Sequence, residues 1–221
     1  MLKSYLPSRY NTLACVILII LLILGLKKIV LIFTILYLFI YLILRKNRND
    51  FRDDQVSTKG VIFSPINGKV LSIEHGISHG VFGEQLVEIQ LMIPWWKEMG
   101  IYLPLSAEIR NLTIVKGESF FRWKKFSEYY GTQDCKGILL ELENNEDVVG
   151  LVFYKCKAGL WPELMVTPGD RGSRRVNIGF FPFGGTVMLY LSKKYEILIK
   201  NNDEVNAGES IIAFIPEHEQ R

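Results

Sequence analysis

The sequence predicts a mainly β (α+β) protein whose β domain follows an N-terminal pair of apolar helices. Two long apolar runs occupy residues 13–26 and 29–44. From residue 61 onward, short runs rich in Val, Ile, Phe and Tyr recur between Gly, Pro, Asn and Asp, a pattern typical of β-strands. No stretch of this later region keeps a 3.6-residue apolar period for more than about three turns, which disfavours long helices there.

The two apolar runs are separated by Lys27 and Lys28. A single straight helix through both runs would be longer than the ~30 Å hydrocarbon core of a bilayer and would bury the lysines. We therefore predict a membrane-anchoring, transmembrane or partly inserted helical hairpin within residues 1–46, with its tip at residues 25–28 and its lysines at lipid headgroups. A cleaved signal peptide is disfavoured because no small-residue cleavage site separates the runs.

Basic residues concentrate around the apolar runs. Residues 1–52 contain eight basic residues and one acidic residue, a net charge of +7, so the rest of the chain carries −4 of the total of +3. Positive charge that flanks apolar runs suits anionic lipids and argues against a nucleic-acid partner. The positive-inside rule places both hairpin ends, and the β domain with them, on the cytoplasmic face of a bacterial inner membrane or on an organelle inner membrane.

The region after the hairpin is predicted to be one domain. Residues 47–60 are polar and charged and form a linker, residues 61–216 form the β domain, and residues 217–221 form a tail. The cysteines Cys15, Cys135 and Cys156 have neither CxxC nor Cys/His spacing, so we expect free thiols and no metal site. The expected strands cover residues 61–63, 69–73, 85–93, 109–115, 137–142, 148–156, 176–181, 186–191, 196–199 and 210–214.

A weak internal repeat indicates two similar halves. Small-residue turns precede strands at residues 64–70, 103–109 and 183–187, and Gly-Glu turns follow at residues 117–118 and 208–209. This order resembles the barrel-sandwich hybrid of biotinyl and lipoyl domains. Because no lysine occupies the carrier position of a tight hairpin, the likeness implies architecture and not a carrier function.

Six short motifs occur in a fixed order along the chain. They are Phe-Arg-Asp-Asp at 51–54, Ser-Pro-Ile-Asn-Gly-Lys-Val at 64–70, Pro-Leu-Ser-Ala at 104–107, Gly-Asp at 169–170, Phe-Gly-Gly at 183–185 and Val-Asn-Ala-Gly-Glu at 205–209. Together they resemble the motifs of the short, membrane-anchored form of phosphatidylserine decarboxylase over nearly the whole length, and their common order and spacing make the resemblance specific. The resemblance implies a phosphatidylserine-decarboxylase-like β domain after the hairpin.

The resemblance implies a self-cleaving proenzyme. In this family a serine hydroxyl attacks the preceding glycine carbonyl, the chain breaks, and the serine becomes an N-terminal pyruvoyl group that serves as electron sink for decarboxylation. A histidine and an aspartate act as base and orienter. In this chain the serine position falls on Gly185, the aspartate position on Asn67, and the histidine position, five residues before Pro104, on Met99.

None of these three residues can perform the chemistry of the residue it replaces. We therefore predict a pseudoenzyme without a pyruvoyl group or another cofactor, which serves as an uncleaved, accessory or structural subunit of a membrane assembly with other proteins and binds lipid. The alternative is a divergent phosphatidylserine decarboxylase that processes itself at Gly185-Thr186, because the Thr186 hydroxyl also follows a glycine. The favoured interpretation of Thr186 itself is structural, as a β-branched residue that opens a strand.

Other polar residues have weaker functional interpretations. His75 and His79 are expected in a glycine-flanked loop, either solvated or as a displaced base or metal ligands. Arg171, Arg174 and Arg175 are expected to meet phosphate or carboxylate, or to lie in a solvated turn.

Aromatic and basic residues also cluster in two stretches of the β domain. Such mixtures favour the bilayer interface, and core packing is the alternative for part of them. The expected lipid contacts are Lys27, Lys28, Trp95, Trp96, Trp123, Lys124 and Lys125.

Overall fold

The structure is a computed structural model that describes residues 8–43, 60–94, 96–114, 138–144, 147–155 and 160–216. The chain divides into two compact units, residues 1–49 and residues 50–221. The first unit contains two helices, and the second contains strands arranged in three sheets. The mainly β class predicted from the sequence is confirmed.

The first unit consists of α1 (Ser8–Ile23) and α2 (Lys27–Ile43). Gly25, with φ of +71°, ends α1, because Leu26 N donates to Leu21 O and Gly25 N donates to Leu22 O in the pattern of a Schellman cap. The helix break therefore coincides with the predicted tip, although α1 begins five residues earlier than its apolar run. Lys27 and Lys28 are exposed in the first turn of α2.

Within residues 8–43, neither helix combines the length and the apolarity that crossing a membrane requires. The helices have 16 and 17 residues. The structure therefore does not support a transmembrane span. Most of the leucine and isoleucine side chains of both helices are nevertheless exposed within this unit.

The second unit contains fourteen described strands, and each of the ten predicted strands corresponds to one of them. The strands that the sequence did not predict have only two or three residues. The strands are β1 (Val61–Phe63), β2 (Gly68–His79), β3 (Gly83–Met92), β4 (Gly100–Tyr102), β5 (Ala107–Ile114), β6 (Ile138–Asn144), β7 (Asp147–Lys155), β8 (Glu163–Leu164), β9 (Arg171–Gly172), β10 (Asn177–Phe180), β11 (Gly185–Ser192), β12 (Glu196–Ile197), β13 (Glu204–Val205) and β14 (Ile211–Phe214).

The central sheet has eight strands in the order β13-β2-β3-β11-β7-β6-β5-β9, and its neighbours are antiparallel. Two three-stranded sheets, β1-β14-β12 and β4-β10-β8, accompany it. β11 lies in the middle of the central sheet and is buried from Gly185 to Leu191. The barrel-sandwich likeness of the two halves is not established by this topology and stays a prediction.

One face of the central sheet contains buried polar side chains on β3. Glu88 is 4% exposed and Gln90 is fully buried, and both lie on the same face because they are two residues apart. Ser72 Oγ donates to Gln90 Oε1 over 3.2 Å. Burial raises the pKa of the Glu88 carboxyl, and a hydrogen bond from Tyr190 opposes this shift. Glu88 is therefore a site where ionisation opposes folding.

We expect the Glu88→Gln variant to have a flatter dependence of stability on pH. Because the folded-state pKa of Glu88 is raised, its favourable contribution is complete below the unfolded pKa and is lost as pH rises through the folded pKa. The variant should therefore be more stable than wild type above that pH, as measured by urea unfolding from pH 4 to 8 in steps of about one unit. Glu84→Gln, at an exposed position of β3, is the control and should leave the profile unchanged. Parallel profiles for wild type and Glu88→Gln would contradict this assignment.

Candidate functional site

A tight turn connects β10 to β11 at the position where the family resemblance places self-cleavage. Gly184 N donates to Phe181 O over 2.9 Å, which closes a four-residue turn. Pro182 suits the second position of such a turn, and Phe183 follows it with a φ of +59°. Gly184 also has a positive φ, +72°, so two consecutive residues lie in the left-handed region just before the strand.

Both glycines of the junction are required by their surroundings. A Cβ atom on Gly184 would lie 2.2 Å from the carbonyl oxygen of Ile93. A Cβ atom on Gly185 would lie 2.2 Å from Cζ of the fully buried Phe181 ring. The side chain that a serine would need at position 185 therefore has no room, because the Phe181 ring occupies that volume.

Thr186 has a hydroxyl group, but this hydroxyl is buried. The residue is 1% exposed, and Thr186 Oγ1 has no hydrogen-bond partner within the described part of the chain. The carbonyl oxygen of Gly185, which precedes Thr186, accepts a hydrogen bond from Ile93 N over 2.9 Å. The Gly185-Thr186 peptide thus belongs to the ladder between β3 and β11.

Asn67 forms a side-chain pair with Glu98. Asn67 Nδ2 donates to Glu98 Oε2 over 2.8 Å, and Asn67 Oδ1 accepts from Ala207 N over 2.9 Å. Tyr102 Oη donates to the other carboxylate oxygen, Glu98 Oε1, over 3.2 Å. Glu98 is thus held by an amide and a phenol.

Met99, to which the sequence assigned the histidine position, is buried and contributes its carbonyl oxygen to Phe181 N over 2.8 Å. The side chain that faces Asn67 belongs instead to Glu98, one residue earlier. Sequence reasoning missed Glu98, although it is the only acidic residue between Pro94 and Pro104. Counting five residues back from Pro104 gives Met99, whereas the residue whose side chain contacts Asn67 is Glu98.

The sheet register brings the Asn67 turn and the glycine junction close together. Lys69, Met92 and Thr186 lie opposite one another on β2, β3 and β11, so about 10 Å separates the backbones of the outer two strands. Residues 92–94 and 96–99 connect the neighbourhood of the glycine junction to the Asn67-Glu98 pair. The junction therefore has an amide–carboxylate pair nearby, and no histidine of the described residues lies beside it.

The histidines and arginines do not join this site. His75 and His79 lie in β2 and not in a loop, and His75 is about 20 Å along the strand from the Lys69 row, because six residues separate them. Burial lowers the pKa of His79, whose ring stacks on Phe82 at 4.6 Å between centroids. No group of three metal-ligating side chains occurs among the residues that the structure describes.

The three arginines have neighbours away from the junction. Arg171 Nε contacts Glu108 Oε2 at 2.7 Å. The guanidinium groups of Arg174 and Arg175 lie 5.6 and 4.8 Å from the ring centroid of Phe63. Their expected contact with phosphate stays a prediction.

Of the predicted lipid contacts, Trp96 is 54% exposed. Trp95, Trp123, Lys124 and Lys125 lie outside the described residues.

Restoring an aspartate at position 67 is expected to destabilise the domain. Asn67→Asp replaces the amide donor with a second carboxylate 2.8 Å from Glu98, so we expect a loss of about 2–3 kcal/mol in the free energy of unfolding at pH 7. The loss should shrink at acid pH, where one carboxyl is protonated. The Asn67→Asp/Glu98→Gln double variant, measured by urea unfolding, should recover most of the loss. Equal losses in the single and double variants would contradict the pairing.

By its fold and site the chain is a mainly β protein in which a glycine pair opens a buried central strand. An amide–carboxylate pair lies near that glycine pair. The family model for phosphatidylserine decarboxylase matches residues 101–213. The chain therefore belongs to the phosphatidylserine decarboxylase family.

Curated relatives are similar over most of their length. The chain is 21% identical over 183 residues to the phosphatidylserine decarboxylase proenzyme of Parabacteroides distasonis, an alignment that covers 81% of this chain and 79% of that protein. It is 23% identical over 181 residues to the proenzyme of Neorickettsia sennetsu, covering 76% of this chain and 75% of that protein. No solved structure matches the chain.

Proposed function

We propose that this chain is an uncleaved, non-catalytic member of its family that binds phospholipid at a membrane surface as an accessory subunit. The observation that carries the proposal is the packing of the Phe181 ring into the space where a residue-185 side chain would lie. A pyruvoyl group does not fit this site, because Gly185 has no hydroxyl to form it. The neighbouring pair, Asn67 and Glu98, contains a carboxylate but no imidazole base, and an amide replaces the aspartate of the family at position 67.

Membrane association is supported by the exposed side chains of the first unit. Apolar side chains such as Leu22, Ile32 and Phe39 are more than half exposed on α1 and α2, and Lys27 and Lys28 lie between the helices' apolar stretches. Apolar surface with flanking lysines favours lipid over water. We propose attachment to the cytoplasmic face of a bacterial inner membrane or to an organelle inner membrane, with other subunits as partners.

The test of this function compares lipid binding with turnover. The purified full chain should bind vesicles that contain phosphatidylserine, and it should release no CO₂ above background from carboxyl-labelled phosphatidylserine. The same measurements with empty vesicles and with heat-denatured protein serve as controls. Release of CO₂ in proportion to protein concentration would overturn the non-catalytic proposal.

A second function is favoured by Thr186 and by the relatives, which are named proenzymes. A buried hydroxyl without a hydrogen-bond partner in the described region, next to a glycine carbonyl, is the group that an acyl shift requires. Thr186 Oγ1 would attack the Gly185 carbonyl carbon and pass its proton to the Thr186 nitrogen, so that the Gly185-Thr186 C–N bond breaks and a C–O ester bond forms. Removal of the Thr186 Cα proton would then break the Cβ–Oγ1 bond and release Gly185 as a carboxylate. The dehydrated residue would then take up water, release ammonia and become a 2-oxobutyryl terminus for decarboxylation.

Thr186→Val separates the two functions. In the uncleaved protein this change removes an unpartnered buried hydroxyl and keeps the branched shape, so we expect a gain of about 1 kcal/mol in the free energy of unfolding. Wild type and variant should both migrate as one full-length chain in denaturing electrophoresis. A wild-type protein that cleaves, together with a variant that does not, would instead support self-processing at Thr186.

A further inference from the structure

The three strands of the β4-β10-β8 sheet all reach the same end of that sheet beside the glycine junction. Phe180, the last residue of β10, pairs with Gly100 at the start of β4 and with Glu163 at the start of β8. Phe181 N continues the pairing by donating to Met99 O over 2.8 Å. The segments that extend beyond this end are therefore residues 96–99, 181–184 and 160–162.

Each of these three segments exposes a large apolar side chain. Trp96 is 54% exposed, Leu160 is 55% exposed and Phe183 is 36% exposed. We call these three residues the apolar rim. Phe183 directly precedes Gly184, and Trp96 and Leu160 lie a few residues before the strand ends that pair with Phe180, so all three belong to the end of the sheet where the turn lies.

Phe183 occupies a backbone conformation that does not suit its side chain. Its φ of +59° lies in the left-handed region, which an L-residue disfavours and a glycine adopts freely. About a third of the residue is exposed. A strained residue that presents an aromatic ring at a surface indicates a role for the ring at that surface.

A single lysine is adjacent in sequence to an aromatic residue of the rim, and this lysine is paired with a carboxylate. Lys97 follows Trp96 directly, and its ammonium group lies 2.8 Å from Glu204 Oε2. Tryptophan and phenylalanine beside lysine are enriched at the level of lipid headgroups. A stable protein partner would need roughly 800 Å² from each side, whereas three half-exposed side chains offer about 300 Å².

We propose that the apolar rim of Trp96, Leu160 and Phe183 docks the β domain on a phospholipid bilayer and holds the glycine junction at the membrane surface. This inference rests on the proposed phospholipid function and identifies the surface that performs it. The rim belongs to the second unit, so it is an apolar surface in addition to the exposed side chains of the first unit. Proteins with two weak membrane contacts associate more stably than proteins with one.

The test places an environment-sensitive fluorophore at single cysteines in the full chain. The native cysteines at positions 15, 135 and 156 are replaced by serine, and labels are attached in Trp96→Cys, Phe183→Cys and the control Leu198→Cys. Leu198 is 52% exposed and lies outside the rim, which makes it a matched position. Each labelled protein is reconstituted with phosphatidylcholine and phosphatidylserine vesicles that have either brominated or ordinary acyl chains.

We expect brominated lipid to quench the labels at 96 and 183 roughly twofold, because rings docked in this way lie about 5–10 Å into the headgroup–acyl boundary. The label at 198 should retain its emission. Equal quenching at all three positions, or no quenching at 96 and 183, would overturn the proposed docking. A change in emission at 183 that depends on the amount of protein per vesicle and not on bromine would show that a second copy of the chain covers the rim, which would also overturn the proposal. CO₂ release, measured on the unlabelled chain, reports on the non-catalytic function independently.

Discussion

Replacing Gly184 by alanine is expected to lower the free energy of unfolding by about 3 kcal/mol or more. The left-handed backbone at this residue costs an alanine roughly 1–2 kcal/mol, and the clash of its Cβ with the carbonyl oxygen of Ile93 adds about 1–3 kcal/mol. The clash cannot be relieved by a rotamer change, since the opposing atom is backbone. Urea unfolding of the full chain, followed by β-sheet circular dichroism, measures the loss.

Alanine substitutions at two other glycines separate the conformational cost from the cost of the clash. Gly76 has a φ of +73° with open space where a Cβ would lie, so Gly76→Ala should show only the conformational cost. Gly80 has open space and no positive φ, so Gly80→Ala should change stability by less than about 0.5 kcal/mol. Similar losses for alanine at 184 and 76 would contradict the close approach between the junction and Ile93.

A serine introduced at position 185 is not expected to restore self-cleavage. Gly185→Ser places a side chain where Cζ, Cε1 and Cε2 of Phe181 lie 2.2 to 2.7 Å from the new Cβ, so we expect a loss of about 1–3 kcal/mol and no self-cleavage. The ring has little freedom to move, because Phe181 is fully buried and packs edge-on against Phe153 at 6.4 Å between centroids. Unfolding curves and denaturing electrophoresis of the variant report both outcomes.

The Phe181→Leu substitution tests the cause of this failure. If the ring is the obstacle, the Phe181→Leu/Gly185→Ser double variant should be less destabilised than the sum of the two single variants, by about 1 kcal/mol or more. It should remain uncleaved, because Asn67 and Glu98 do not supply the imidazole and the aspartate that the family uses. Additive losses, or cleavage of Gly185→Ser on its own, would contradict the packing argument.

The sequence was informative about strands that are long and rich in apolar residues. Strands such as β3, β7 and β11 were predicted within two residues of their ends, because their apolar and β-branched runs are bounded by glycine or polar residues. The extent of β2 was not predicted. Gly76 and the histidines indicated a loop, but cross-strand pairing with β3 continues to His79, with two irregularities in register between His75 and His79.

Local sequence motifs located part of the candidate site, and the rest depends on how distant segments fold together. Positions 67 and 185 follow from local motifs, and the structure places both beside residues 92–99. The partner of Asn67 depends on how the segment between Pro94 and Pro104 folds, and a shift of one residue separates Met99 from Glu98. The role of Phe181 could not be predicted, because its contact with Gly185 arises from the shape of the turn and not from sequence spacing.

The continuity of the chain through residues 184–186 tests the central claim most directly. Intact mass spectrometry of the purified full chain should show a single species at 25.5 kDa that does not react with carbonyl reagents. Two fragments divided between Gly185 and Thr186, the later one with a carbonyl terminus, would contradict the claim that this family member is uncleaved.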